Sequence, residues 1–230
     1  MSCDSSFSAY CRQMTGAAIF DMDGVLIDSG AHHRAAWRAL LAEIGEEPAH
    51  PEHWRLTIGR SSEEAMSLLL GRRVSEHEAR RLARRKRDLY VDFARAGMVA
   101  VPGARDFVGA LARLRVPRAV GTSASRFDVD GLLVGVGLRR LFDVIVTADD
   151  VMLGKPDPEV YELAAARLRI PARACLVFED SLVGIEAARR AGMRAVGVTT
   201  AHSERELREA GAERAIADFE GIEWTSLASP

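Results

Sequence analysis

The densest chemistry in this 230-residue chain lies in Phe20-Asp21-Met22-Asp23-Gly24-Val25, where an apolar run ends in two carboxylates two positions apart. In extended backbone, residues i and i+2 share a face, so Asp21 and Asp23 address one crevice if the geometry continues through Met22. Two like charges leaving a buried strand need compensation, which a hard cation with oxygen ligands can supply. On its own the segment reads equally well as a strand followed by an acidic turn, bent at Gly24.

Three later features favour the chemical reading. Thr122 and Ser123 follow the apolar run 118–121, where a hydroxyl and backbone N–H groups can hold phosphate oxygens. Lys155 sits in Gly154-Lys155-Pro156-Asp157-Pro158, a loop whose prolines restrict the backbone and fix the direction of the ammonium. Glu179-Asp180 follow the run 174–178 and precede Ser181, a good N-cap for a helix running to about residue 191. Singly, these are a capping hydroxyl, a solvated lysine and an acidic helix start. Together they all fall at the ends of successive apolar runs. The Gly154-Lys155 pair is not a nucleotide-binding loop, because no serine or threonine follows the lysine.

The elements that must position these residues follow from hydrophobic periodicity. Apolar runs at 17–20, 118–121, 143–146, 174–178 and 194–198 alternate with amphipathic segments. That pattern predicts βα units around a parallel sheet, with its ligand crevice beyond the carboxyl ends of the strands. Residues 31 to 100 instead read as helices at 32–44, 62–70 and 75–96. Ser61 or Ser62 and Ser75 serve as N-caps, with Glu64 and Glu78 near the first turns. The expected fold is α/β, a Rossmann-like parallel-sheet core of residues 1–30 and 101–230 carrying a small α-helical cap domain at 31–100. Residues 1–16 read as a polar tail.

Composition narrows the class further. Hydrophobic residues make up 48% and charged residues 28% of the chain, the profile of an ordinary globular protein. A net charge of −2 creates no global field toward nucleic acid or membrane, and the apolar runs are too short to span a bilayer. The first sixteen residues lack the basic start and apolar core of a secretory signal. Cys3, Cys11 and Cys175 give neither a disulfide framework nor metal-ligand spacing, so a reducing cytoplasm fits best. The run Arg80, Arg81, Arg84, Arg85, Lys86 and Arg87 spreads around a helix without interleaved aromatics. It reads as a solvated helix face rather than a nucleic-acid platform.

From residue 17 to about 219 the chain resembles the haloacid dehalogenase superfamily of phosphotransferases, through Asp21-Met22-Asp23-Gly24-Val25, Thr122, Lys155 and Glu179-Asp180. The resemblance implies that Asp21 attacks phosphorus and that Asp23 acts as general acid and base. It also implies Mg²⁺ held by Asp21, the Asp23 carbonyl and Asp180, with Glu179 nearby or bound through water. Thr122, Lys155, Gly24 and Ser123 would then surround the phosphoryl group. The aspartate at position 23 points to phosphatase or mutase chemistry, since dehalogenating relatives lack it.

The helical insert resembles the cap of the subgroup that holds β-phosphoglucomutase and the sugar-phosphate and phosphoglycolate phosphatases. Arg60, Lys86, His33, Ser125 and Arg126 fall at mutase-like positions, and a phosphate-gripping arginine suits Arg60. The expectation is a phosphatase acting on a small phosphorylated metabolite, as monomer or small homo-oligomer. A phosphosugar mutase is the alternative, and a non-catalytic anion-binding protein is a more distant one.

Overall fold

The computed structural model describes residues 16–94 and 97–228. Most of the expected polar tail, with Cys3 and Cys11, lies outside the described residues, as do the last two positions of the helix expected at 75–96.

Six parallel strands form one sheet in the order β3-β2-β1-β4-β5-β6. They are β1 Ala17–Phe20, β2 Arg118–Gly121, β3 Val144–Val146, β4 Cys175–Glu179, β5 Arg194–Val198 and β6 Arg214–Ile216. The two central strands, β1 and β4, are buried at every residue, as expected of parallel strands covered on both faces. Phe20 pairs with both Val120 and Phe178. Asp21 N donates to Phe178 O at 2.9 Å, so the first acidic residue is still held by the sheet.

Helices α4 (Ala104–Arg113), α5 (Arg126–Gly135) and α9 (Trp224–Ala228) cover one face. There Phe20 stacks on Phe178 with centroids 4.7 Å apart, and Phe107 and Phe219 close around them. Helices α6 (Glu159–Leu168), α7 (Leu182–Arg190) and α8 (Glu204–Ala210) cover the other. Cys175 is buried on this face, and burial pushes its thiol up to about 11, as expected of an inert core cysteine.

Between β1 and β2 the chain makes α1 (Gly30–Ile44), α2 (Ser62–Leu70) and α3 (Glu76–Ala94). These pack around a cluster of their own, containing Trp37, Leu40, Met66, Leu69, Leu82 and Tyr90. Ser61 and Glu64 form a reciprocal capping box at α2. Ser75 Oγ accepts from Glu78 N at the start of α3. The two connections to the sheet run antiparallel: Asp28 N donates to Val99 O and Val101 N to Leu26 O.

Three details depart from the sequence reading. β3 begins at Val144, because the Asp143 side chain turns back to accept from Arg118 N. β4 extends through Glu179, which places that carboxylate inside the sheet. The edge strand β6 is only three residues long with an exposed first residue, too short for periodicity to reveal.

Candidate active site

The carboxyl ends of β1 and β4 carry Asp21 and Asp180, and the loop after β3 delivers Lys155. The Lys155 side chain is 1% exposed, and its Nζ donates to Asp21 Oδ1 at 2.6 Å and to Glu179 Oε1 at 2.7 Å. Four protein donors satisfy Glu179. Tyr161 OH and Lys155 share Oε1, while Ser181 N and Oγ share Oε2. Glu179 therefore faces inward to anchor Lys155, behind the carboxylates expected to hold the metal. Tyr161 was not singled out from sequence. Its ring lies 4.9 Å from Lys155 Nζ, so the ammonium is braced from beneath as well as by charge.

This end of the crevice holds more negative charge than Lys155 balances. Burial, reinforced by Glu179 and Asp23, pushes the Asp21 carboxyl up to about 8 despite the opposing pull of Lys155. Burial, then Glu179 and Asp21, holds Asp180 well above the usual carboxylate range. Burial opposes the charge on Lys155, but Asp21 and Glu179 overcome it and raise its pKa well above normal.

Asp180 lies hard against the turn that follows Asp23. Gly24 adopts φ +73°, and a Cβ there would stand 2.0 Å from Asp180 Oδ2, so only glycine fits. Thr200 Oγ1 donates to Gly24 O at 2.6 Å and lies 3.3 Å from Asp180 Oδ2. His202 Nδ1 meets Asp180 O at 2.9 Å. Among the described residues no group of three or more His, Cys, Asp or Glu side chains converges as a metal cage. Two carboxylates with surplus buried charge nevertheless suit Mg²⁺, which binds through one or two carboxylates and keeps several waters.

On the cap side, His33 Nε2 meets Asp23 Oδ1 at 3.1 Å and Lys86 Nζ meets His33 Nδ1 at 2.6 Å. A lysine ammonium can only donate, so Nδ1 is the acceptor and Nε2 carries the hydrogen that reaches Asp23. Burial pushes Lys86 down to about 8. His33 is lowered by burial and by the Lys86 charge, which keeps the imidazole neutral. Burial works against the charge on Asp23, yet His33 holds that carboxyl below its ordinary value. Tyr90 stacks on His33 with centroids 4.3 Å apart.

The expected phosphate contacts divide. Thr122 is buried, lines the cavity, and accepts from Ala124 N through Oγ1 at 3.1 Å, leaving its hydroxyl proton to give. Arg60 lines the cavity with no ion-pair partner among the described residues. Ser123 Oγ instead donates to Gly59 O of the insert at 2.8 Å, a contact that closes the insert onto the sheet. Two further expected contacts are held by other residues here, although Ser125 still lines the cavity. Ser125 Oγ donates to Asp128 Oδ2 at 2.7 Å. Arg126 is drawn out of the cavity by Asp150 and by Ile145 O, while its backbone N–H binds Asp149.

A cavity of about 750 Å³ joins these parts between the sheet edge and the insert. Several basic residues of the insert instead meet carboxylates at the surface. Arg80 pairs with Glu76, Arg85 with Glu43, and Arg72 with Glu46 and Glu78. No helix of the described residues is long and apolar enough to cross a membrane.

Residues 15–192 match the family model for haloacid dehalogenase-like hydrolases. The chain belongs to that family. It is 35% identical to validoxylamine A 7′-phosphate phosphatase of Streptomyces hygroscopicus subsp. limoneus, over 93% of this chain and 99% of that one. With fructose-1-phosphate phosphatase YqaB of Escherichia coli the identity is 34%, over 78% of this chain and 94% of the relative. A hydrolase from Pseudomonas syringae superimposes with TM-score 0.85 at 29% identity, covering 93% and 100% of the two chains. β-Phosphoglucomutase from Clostridium difficile does so with TM-score 0.80 at 25% identity, covering 92% and 95%.

Proposed function

We propose that this enzyme hydrolyses the phosphomonoester of a small polyhydroxylated metabolite through a phosphoaspartate on Asp21, with Mg²⁺ as cofactor. The observation that carries this reading is the Asp21–Lys155–Glu179 chain, buried at the strand ends and opening on a cavity that Asp23, Thr122 and Asp180 also line. Phosphoric monoester hydrolysis is the activity of its named phosphatase relatives, and the chain is a hydrolase of their family.

Lys155 occupies Asp21 Oδ1 and leaves the other oxygen without a protein donor among the described residues, which suits it to attack phosphorus in line. As the Asp21 O–P bond forms, the bond from phosphorus to the leaving oxygen breaks. That oxygen takes a proton from Asp23. An incoming phosphoryl dianion adds like charge beside Asp23 and so favours the protonated form this step requires. Water then attacks phosphorus and gives its proton back to Asp23, releasing phosphate and restoring Asp21. Asp21, Asp180 and the Asp23 main-chain carbonyl would hold Mg²⁺, which neutralises the carboxylate–phosphate repulsion when bound. Thr122 and Lys155 are placed to hold the remaining phosphoryl oxygens.

A mutase outcome has support from Arg60, His33 and Lys86 at the cavity and from the likeness to β-phosphoglucomutase. Hydrolysis is preferred because Ser125 and Arg126, the expected holders of a second phosphate, are both engaged by other residues. The test is release of inorganic phosphate from sugar monophosphates and an aryl phosphate with Mg²⁺, by wild type and by Asp21→Asn. Turnover that vanishes in Asp21→Asn supports the reading; equal turnover by both refutes it. Conversion of β-glucose 1-phosphate mainly to glucose 6-phosphate, rather than free phosphate, would establish the mutase instead.

A further inference from the structure

The steps above leave part of the cavity lining, next to the His33–Asp23 pair, without a role. There Asp128, on the first turn of α5, lines the cavity together with Ser29 at the start of the insert and with Lys86 and Tyr90 of α3, both of which feel its charge. Asp128 accepts from Ser125 Oγ through Oδ2, and its Oδ1 takes no hydrogen bond among the described residues. The Tyr90 hydroxyl and Ser29 Oγ, in residues only 4% and 1% exposed, make no hydrogen bond of good geometry, although Ser29 lies close enough to Tyr90 and Asp23 to act on both. Lys86 Nζ uses one of its three N–H bonds, on His33. A buried polar group left unsatisfied costs about 1–3 kcal/mol, so these atoms are far better accommodated with a ligand against them.

The ligand chemistry follows from the donors and acceptors. A free carboxylate oxygen, two hydroxyls and spare ammonium hydrogens complement neutral hydroxyl groups, each of which both donates and accepts. A second phosphoryl group only accepts and is anionic, so it would meet the Asp128 carboxylate as a like charge in a partly buried site. An aromatic leaving group would leave all these atoms unpaired. Asp128 comes from the sheet unit and Tyr90 from the insert, so the subsite exists only when the insert is closed.

Resting on the phosphatase reading above, we propose that Asp128, Tyr90 and Ser29 form a hydroxyl-reading subsite that selects monophosphates of polyhydroxylated alcohols over bisphosphates and aryl phosphates. The test compares kcat/KM for fructose 1-phosphate, glucose 6-phosphate, fructose 1,6-bisphosphate and p-nitrophenyl phosphate, in wild type, Asp128→Asn and Tyr90→Phe. Both substitutions preserve shape, so folding is retained and each removes one polar function. The ratio of the better sugar monophosphate to aryl phosphate is expected to fall about tenfold in each variant, the size of one lost strong hydrogen bond. The monophosphate preference over the bisphosphate is expected to shrink in Asp128→Asn and to persist in Tyr90→Phe. Sugar and aryl phosphates declining in parallel, or a wild type that favours the bisphosphate, would overturn the subsite. A wild type that turns over none of the four would instead refute the phosphatase reading itself.

Discussion

The two walls of the cavity are built on opposite principles. Behind the sheet wall, every oxygen of Glu179 and the ammonium of Lys155 are engaged by protein partners, and both residues are sealed from solvent. On the insert wall Arg60 lacks a counter-ion among the described residues, and the Tyr90 and Ser29 hydroxyls make no hydrogen bond of good geometry. A fully satisfied buried network is stiff and fixes geometry, whereas unsatisfied groups reserve their bonding capacity for a ligand. The contrast separates chemistry from choice of substrate: the first wall holds the reacting atoms, the second reads what is attached to them.

The contrast is broken most severely at Lys155. Lys155→Met should lower kcat by about 10³-fold. It should also destabilise the fold by about 3–5 kcal/mol, because Glu179 is left as a buried carboxylate without its counter-charge. Steady-state kinetics and thermal unfolding read the two effects. On the insert wall, His33→Ala should lower kcat by about 10²-fold with far less effect on unfolding. It removes the group that depresses Asp23, so the limb of the pH–rate profile that reports Asp23 should move to higher pH. An unmoved limb would mean that His33 does not tune Asp23.

Gly59 sharpens the comparison, because it lies where the walls meet. It has φ +77°, and a Cβ would stand 2.2 Å from Ser181 Oγ. Gly59→Ala should therefore hold the insert ajar and lower kcat/KM by about tenfold, a cost of ~1.4 kcal/mol in closure, while the sheet unit unfolds as before.

A smaller effect concerns the cation. Without it, Asp21 keeps its proton up to about pH 8, against an ordinary 3.8. Between those values the folded chain binds more protons than the unfolded one, so the stability of the cation-free protein falls as pH rises through that window. Mg²⁺ must displace this proton, so it should bind more tightly at pH 8 than at pH 6 and raise Tm further there. An equal rise at both pH values would contradict the assignment of Asp21 as a ligand.

The smallest effect belongs to Arg55 and Glu206, which join the insert to α8 at 2.7 Å with about a third of each side chain exposed. A double-mutant cycle there should return less than about 1 kcal/mol.

How much of this was legible in sequence follows the same division. Asp21, Thr122 and Lys155 could be placed because each ends or follows a strand, and a parallel sheet gathers such positions at one edge. The insert helices were equally readable from Ser61, Glu64 and Ser75. The inward turn of Glu179 depends on one residue of extra strand, which the apolar run 174–178 does not record. Tyr161 went unnoticed because a tyrosine on an amphipathic helix looks like ordinary core. Ser125 and Arg126 resemble phosphate ligands in sequence. Their rotamers are decided by Asp128 and Asp150, on which a local motif is silent. The roles of Tyr90 and Ser29 depend on what closes over them, and no periodicity records that.

The antiparallel pairing of the two connections at Asp28–Val99 and Leu26–Val101 has a consequence for how such a chain can diversify. It brings the two ends of a segment of some seventy residues to within a hydrogen bond of each other, so the segment hangs from the sheet as a closed loop. Lengthening such a loop costs only about 0.6 kcal/mol per doubling. The sheet can therefore carry inserts of different length between residues 30 and 98 at little entropic cost, provided that the contacts His33, Arg55 and Gly59 make with it are replaced.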